Sequence, residues 1–76
     1  MTLPLTSLVP GQIASVCAIH VGEALQHRLH AMGFRAGKRV RLIRQAAFRG
    51  PLHVRIDSTD IIIRHRDAHC IELRLT

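Results

Sequence analysis

Four short segments alternate apolar and polar residues with a period of two, and this limits the fold more than any other feature of the sequence. In RVRLI, Val40 and Leu42 share one side while Arg39 and Arg41 take the other. LHVRI repeats the pattern, with Leu52, Val54 and Ile56 set against His53 and Arg55. In DIIIR, Ile61 and Ile63 share a face, and in CIELRL, Ile71, Leu73 and Leu75 oppose Glu72 and Arg74. A pleated strand turns successive side chains to opposite faces, so these segments read as half-buried strands. A fifth, Ile13 to Val21, is β-branched and apolar without clean alternation, as expected of a strand buried on much of both faces.

Turn residues punctuate the strands. Pro10-Gly11 closes a short lead-in, Gly22 ends the first strand, and Gly37 supplies a permissive backbone within RAGKR. Gly50-Pro51 lies in the AAFRGP loop, Asp57-Ser58-Thr59 forms a further turn, and RHRDA is a connector of about one helical turn. Between the first two strands, Leu25, Leu29 and Met32 recur at helical spacing and predict a helix of about ten residues with one apolar stripe. Gly33 then stands where a left-handed terminal residue is wanted, and Phe34 is placed to fold back on Leu29, the pattern of a Schellman ending. So short a helix is marginal alone and must be held by the rest of the fold.

Five short twisted strands protect their edges best by curling into a barrel. The expectation is a mainly β fold: one domain over residues 1–76, a small SH3-like barrel of about five strands, with one short helix between the first and second. At 76 residues, most apolar side chains are needed for the core, which leaves little for a deep cleft. There is no GxSxG, no Gly-rich phosphate loop and no carboxylate pair, so the chain is not expected to be an enzyme and no catalytic residue is assigned. Cys17 and Cys70 form no CxxC pair and are expected to behave as small apolar core residues. No apolar run approaches the ~20 residues of a membrane span. The N-terminus lacks the features of a secretory signal, and a soluble, cytoplasmic protein is expected.

Across the whole chain the sequence resembles the ferrous-iron transport protein A (FeoA) family. The lead-in carries Leu5, Leu8, Pro10, Gly11 and Gln12 of a pattern L..L.PGQ. The family core RL..LG..PG..V is matched by Arg28, Leu29, Met32, Gly33, Gly37 and Val40. The closing pattern LR..eA..I.V is matched by Ile63, Arg64, Ala68, Ile71 and Leu73, with Asp67 in the acidic place. Ala36 and Ala47 replace prolines frequent in the family, which loosens two turns by roughly 0.4–1 kcal/mol each through unfolded-state entropy. The resemblance implies a cytoplasmic SH3-like accessory protein with no chemistry of its own. Its partner would be the cytoplasmic GTPase region of the ferrous-iron transporter, which would hold it at the inner membrane. The resemblance also admits a repressor-type module, since the same barrel occurs at the C-terminus of iron-dependent repressors.

Net charge sharpens the question of partner. Eleven Lys+Arg, ten of them arginine, against five Asp+Glu give +6, a balance suited to an acidic partner. Arg28, Arg35 and Lys38, joined by Arg39 and Arg41, are the candidate partner-binding residues. Arg28 serves either as a docking residue or, the favoured reading, as a brace between helix and barrel. Arg39, Arg41, Arg44 and Arg55 would also suit phosphates. Barrel-type single-strand binders add aromatic platforms, however, and this chain has only Phe34 and Phe48, so nucleic acid is the less favoured partner. Glu23, His27 and His30 share one helical stripe opposite Leu25, Leu29 and Met32, and are candidate ligands for zinc or iron. The three span about 10 Å, so a pair completed by an outside ligand is the expected form, and such a site would bridge a homodimer. No cofactor is required by this reading.

Overall fold

The computed structural model describes residues 1–75 as six strands, two helices and one 3-10 turn. In chain order these are β1 (Leu3–Pro4), the 3-10 turn (Leu5–Ser7), β2 (Ile13–Ile19), α1 (Glu23–Ala31) and β3 (Arg39–Gln45). β4 (Leu52–Ile56), β5 (Thr59–Ile63), α2 (His65–His69) and β6 (Ile71–Leu75) follow. The strands form one antiparallel sheet in the order β1-β6-β2-β3-β4-β5.

The sheet curls on itself. A flat layer is about 10 Å thick, whereas this molecule measures 27 × 26 × 25 Å. Two register shifts help to bend it, one between Val16 and Ala18 in the β2–β6 ladder and one between Leu42 and Arg44 in the β3–β4 ladder. An extra residue in one strand increases local twist and closes the curve. The result is the expected SH3-like barrel, with α1 between the first two of the longer strands.

The inward phase of the alternating segments is where the sequence placed it, except at Leu75. Val40, Leu42, Leu52, Val54, Ile56, Ile61, Ile63, Ile71 and Leu73 are buried together with Ala14 and Val16 of β2. Arg39, Arg41 and Arg55 face outward and His53 is half-buried. Leu5, Leu8, Ala68, Leu29 and Phe34 close the core from outside the strands, and no polar or charged residue is buried among the described residues.

The helix ends as its sequence predicts. Gly33 has φ +91°, its N–H donates to the His30 carbonyl at 3.0 Å, and the Phe34 N–H donates to the Leu29 carbonyl at 2.8 Å. These are the two bonds of a Schellman motif. Phe34 and Leu29 are both buried, so the motif fastens the end of α1 to the core by a 6→1 hydrogen bond and by packing.

Four placements differ from expectation. Leu3–Pro4 of the lead-in pairs with β6, a strand too short to carry a periodic signal. Met32 is 40% exposed because the chain turns out of the helix there and Phe34 takes the inward place. Leu75 is 47% exposed at the last residue of β6, beyond the reach of β1. Neither cysteine is a fully buried core residue: Cys17 is half-buried at the β2 register shift, and Cys70 is exposed at the C-cap of α2; both are free thiols.

Candidate docking surface

With the interior filled by apolar side chains, functional groups are confined to the outside. A groove of about 470 Å³ with apolar side chains on both walls lies between α1 and the β5–α2 segment. Leu25 and Met32 line one wall and Ile62 the other. Met32 is available because the Schellman turn leaves it outside the core, and Ile62 because it holds the outward phase of β5, where it is 65% exposed. Arg28, Arg64 and Arg66 stand around these side chains with a single acid, Asp67.

Arg28 is exposed and has no side-chain hydrogen bond or ion pair among the described residues. It lies between α1 and β5, beside Leu29, Ile61 and Ile63. Sequence reasoning passed over Arg64, Arg66, Ile62 and the exposed Met32. One signal was available: the middle isoleucine of DIIIR breaks the polar phase of its own strand, and an apolar residue at an outward position asks for a partner.

The remaining candidate arginines form a separate surface. Arg39 and Arg41 line a shallow depression of about 280 Å³ with Arg55 and Asp57. Arg41 stands directly opposite Arg55 across the β3–β4 ladder. Asp60 holds Arg55 from the other side, with Arg55 Nε donating to Oδ1 at 2.6 Å and Nη2 to Oδ2 at 3.2 Å. The Arg55 hydrogen bonds, and then His53, pull the Asp60 carboxyl down to about 2. His53 Nε2 lies 3.0 Å from Asp60 Oδ2, but their alignment is too poor for a full hydrogen bond, so the contact is chiefly electrostatic. Lys38 Nζ donates to Asp57 Oδ2 at 3.1 Å. Lys38 is thus engaged by the β4–β5 turn, and Arg35 is exposed in the turn before it. The five candidate cations therefore do not form one patch, because Arg28 belongs to the groove and Arg39 and Arg41 to the β3–β4 face.

Glu23, His27 and His30 are all exposed on α1. Glu23 and His27 share a shallow depression with Arg28, whose guanidinium opposes a second cation, and His30 is outside it. Among the described residues no three His, Cys, Asp or Glu side chains converge on one point. Among the described residues no helix is long and apolar enough to cross a membrane.

Comparison with known proteins agrees with this architecture. The family model for the FeoA domain matches residues 3–75. The crystal structure of an iron uptake regulatory protein (FeoA) is 23% identical, covers 97% of each chain and superposes with a TM-score of 0.84. The solution structure of iron(II) transport protein A from Clostridium thermocellum is 30% identical with a TM-score of 0.88, covering 97% of this chain and 46% of that one. A manganese-dependent transcriptional repressor is 20% identical with a TM-score of 0.88, covering 99% of this chain and 42% of that one, a likeness of fold. Among curated proteins none matches significantly.

Proposed function

The chain belongs to the FeoA family, which is linked to iron uptake, and from that premise we propose that it is a non-enzymatic accessory module of ferrous-iron uptake. It docks on the cytoplasmic GTPase region of the membrane ferrous-iron transporter and biases that region's nucleotide cycle or assembly by contact alone. The effect is a population shift driven by differential affinity for the partner's states. No resident cofactor is needed, and the protein works in the cytoplasm at the inner membrane.

The observation that carries this reading is the groove with exposed Met32 and Ile62 on its walls and three arginines around them, on a protein whose buried residues, among those described, are all apolar. Apolar side chains inside a charged rim are the anatomy of a protein interface. Two other cations are already engaged by acids, Arg55 by Asp60 and Lys38 by Asp57, which lowers the count free for phosphates and favours protein over nucleic acid. Phe48 is the sole exposed aromatic among the described residues, too few for a stacking platform.

The test is a pull-down of the transporter's GTPase region by this chain, repeated with membranes holding the full transporter. Retention in either format supports docking. Absence of association in both refutes it.

A further inference from the structure

Among the described residues β5 has a neighbour on one side only. It pairs with β4 from Ile56↔Thr59 to Leu52↔Ile63 and ends the sheet order. The two-residue turn at Asp57-Ser58 makes Ile56 and Thr59 the first hydrogen-bonded pair of the hairpin. The register then runs without a shift, and bonded pairs alternate along an antiparallel ladder, so Ile61 and Ile63 also bond toward β4. The N–H and C=O groups of Asp60 and Ile62 therefore point away from it. Among the described residues no backbone hydrogen bond outside the sheet engages them.

This open edge borders the groove. Ile61, Ile62 and Ile63 all line it, although Ile61 and Ile63 belong to the core and Ile62 points to the opposite face. Successive side chains of a strand alternate between faces, so a cavity that touches three in a row runs along the strand's edge. The opposite wall is α1, with Leu25 and Met32, and the rim is cationic through Arg28, Arg64 and Arg66.

We propose that the groove takes an extended segment of partner protein, alternating apolar and acidic residues, which adds to β5 as a further strand. Its backbone pairs with the free groups of Asp60 and Ile62. Its apolar side chains lie against Met32 and Ile62, and its carboxylates meet Arg28, Arg64 and Arg66. Strand addition takes affinity from main-chain hydrogen bonds and specificity from alternate side chains. An amphipathic helix in the same groove would leave the edge N–H and C=O groups without protein partners. A second copy of this chain fits less well, because pairing β5 with itself brings two arginine rims together. The partner's identity rests on the docking reading above, whereas the chemistry of the segment rests on the edge and its rim.

The experiment measures amide exchange and binding on the isotope-labelled full chain. The probes are an eight-residue peptide alternating valine and glutamate, its lysine-for-glutamate counterpart, and the transporter's GTPase region. The glutamate peptide should slow exchange of the Ile62 amide by roughly tenfold or more and bind at least about tenfold better than the lysine peptide. Ile62→Pro removes that outward N–H at an edge position, where proline is tolerated, and should weaken binding by roughly tenfold. Should that variant fail to fold, the wild-type exchange reads the same bond, and Arg64→Glu/Arg66→Glu reads the rim. Equal binding of the two peptides overturns the acidic assignment. Binding of the GTPase region with unchanged exchange at Ile62 overturns strand addition and leaves docking intact. Protection of Ile62 by the glutamate peptide, with no binding of the GTPase region, keeps the edge site and removes the transporter as its partner. No binding of either overturns both.

Discussion

Asp60 Oδ1 lies 2.6 Å from Arg55 Nε, between residues that face each other across the β4–β5 ladder. On its other side Arg55 faces Arg41. One carboxylate thus sits at the end of a row in which two guanidiniums stand side by side on adjacent strands. Directly opposed like charges destabilise a sheet, and Asp60 offsets that repulsion. An exposed ion pair contributes little in isolation, so its value here is the relief it gives the neighbouring arginines.

The first prediction concerns pH. Asp60 is drawn from 3.8 down to about 2, chiefly by its hydrogen bonds with Arg55 and then by His53. A folded-state pKa below the unfolded one gives stability that is complete above the unfolded value and is lost as pH falls through the folded one. Urea unfolding followed between about pH 5 and pH 2 should show the wild type losing stability over that window. Asp60→Asn should be less stable than wild type at neutral pH and flatter across the acid range. Parallel curves for the two proteins would mean that the carboxyl titrates as a free one.

The end of α1 gives a second. Gly33 holds φ +91°, and a Cβ there would meet only Ile56 Cγ2 at 3.9 Å, so space is not the obstacle. The penalty of Gly33→Ala is conformational and should be about 1–2 kcal/mol by chemical denaturation. Phe34→Ala also removes a buried ring and should lose about 3–5 kcal/mol. Equal losses from the two would contradict this division between backbone and packing.

The β3–β4 loop offers a stabilising change. Phe48 and Arg49 both have φ 58°, and the Gly50 N–H donates to the Ala47 carbonyl at 3.1 Å across them. This is the left-handed pair of a type I′ turn, a place suited to Asn-Gly. Phe48 is fully exposed and gains no packing from its position. Phe48→Asn/Arg49→Gly should therefore raise stability by about 1–2 kcal/mol. Gly50→Ala should act in the opposite direction, because its Cβ would fall 2.6 Å from the Ala46 Cβ. A melting temperature unchanged in both variants would show that the turn is not held in this conformation.

Zinc gives a fourth. His27 and His30 are exposed, and Glu23, in the same depression as His27, shares it with Arg28. His27→Ala/His30→Ala should change stability by no more than about 0.5 kcal/mol. Equimolar Zn²⁺ should move the melting temperature of wild type and variant alike. A zinc-dependent rise seen only in the wild type, with dimer formation by light scattering, would restore the helical histidines as a metal site.

Much of the barrel could be read from residue order because its strands are half-buried and their burial alternates. Val40 and Leu42 or Leu52, Val54 and Ile56 leave no other consistent assignment, and Gly33-Phe34 carries its own capping chemistry. What escaped was set by distance in sequence. Leu3 and Pro4 form a strand only because Leu73 and Glu72 lie opposite them, some seventy residues later. The groove joins α1 to β5 and α2, so no local pattern could show that Arg28, Arg64 and Arg66 share a rim. The candidate cations were grouped by nearness in sequence, whereas folding sends Arg28 to one surface and Arg39 and Arg41 to another.

That division yields the last prediction, on which surface docks. Arg28 borders the groove, while Arg39 and Arg41 flank a depression already supplied with a carboxylate by Asp57. Binding energy concentrates where a charge adjoins desolvated apolar surface, and rim charges away from it act mainly on association rate. Arg28→Gln keeps a helix-compatible side chain and removes only the charge, so the fold should survive. Titration calorimetry against the transporter's GTPase region should show Arg28→Gln weakening affinity by roughly tenfold and Arg39→Gln/Arg41→Gln by about threefold or less. The second variant should act mostly through a slower on-rate that added salt abolishes. The reverse ranking would move the interface to the β3–β4 face and leave the groove without a role in docking.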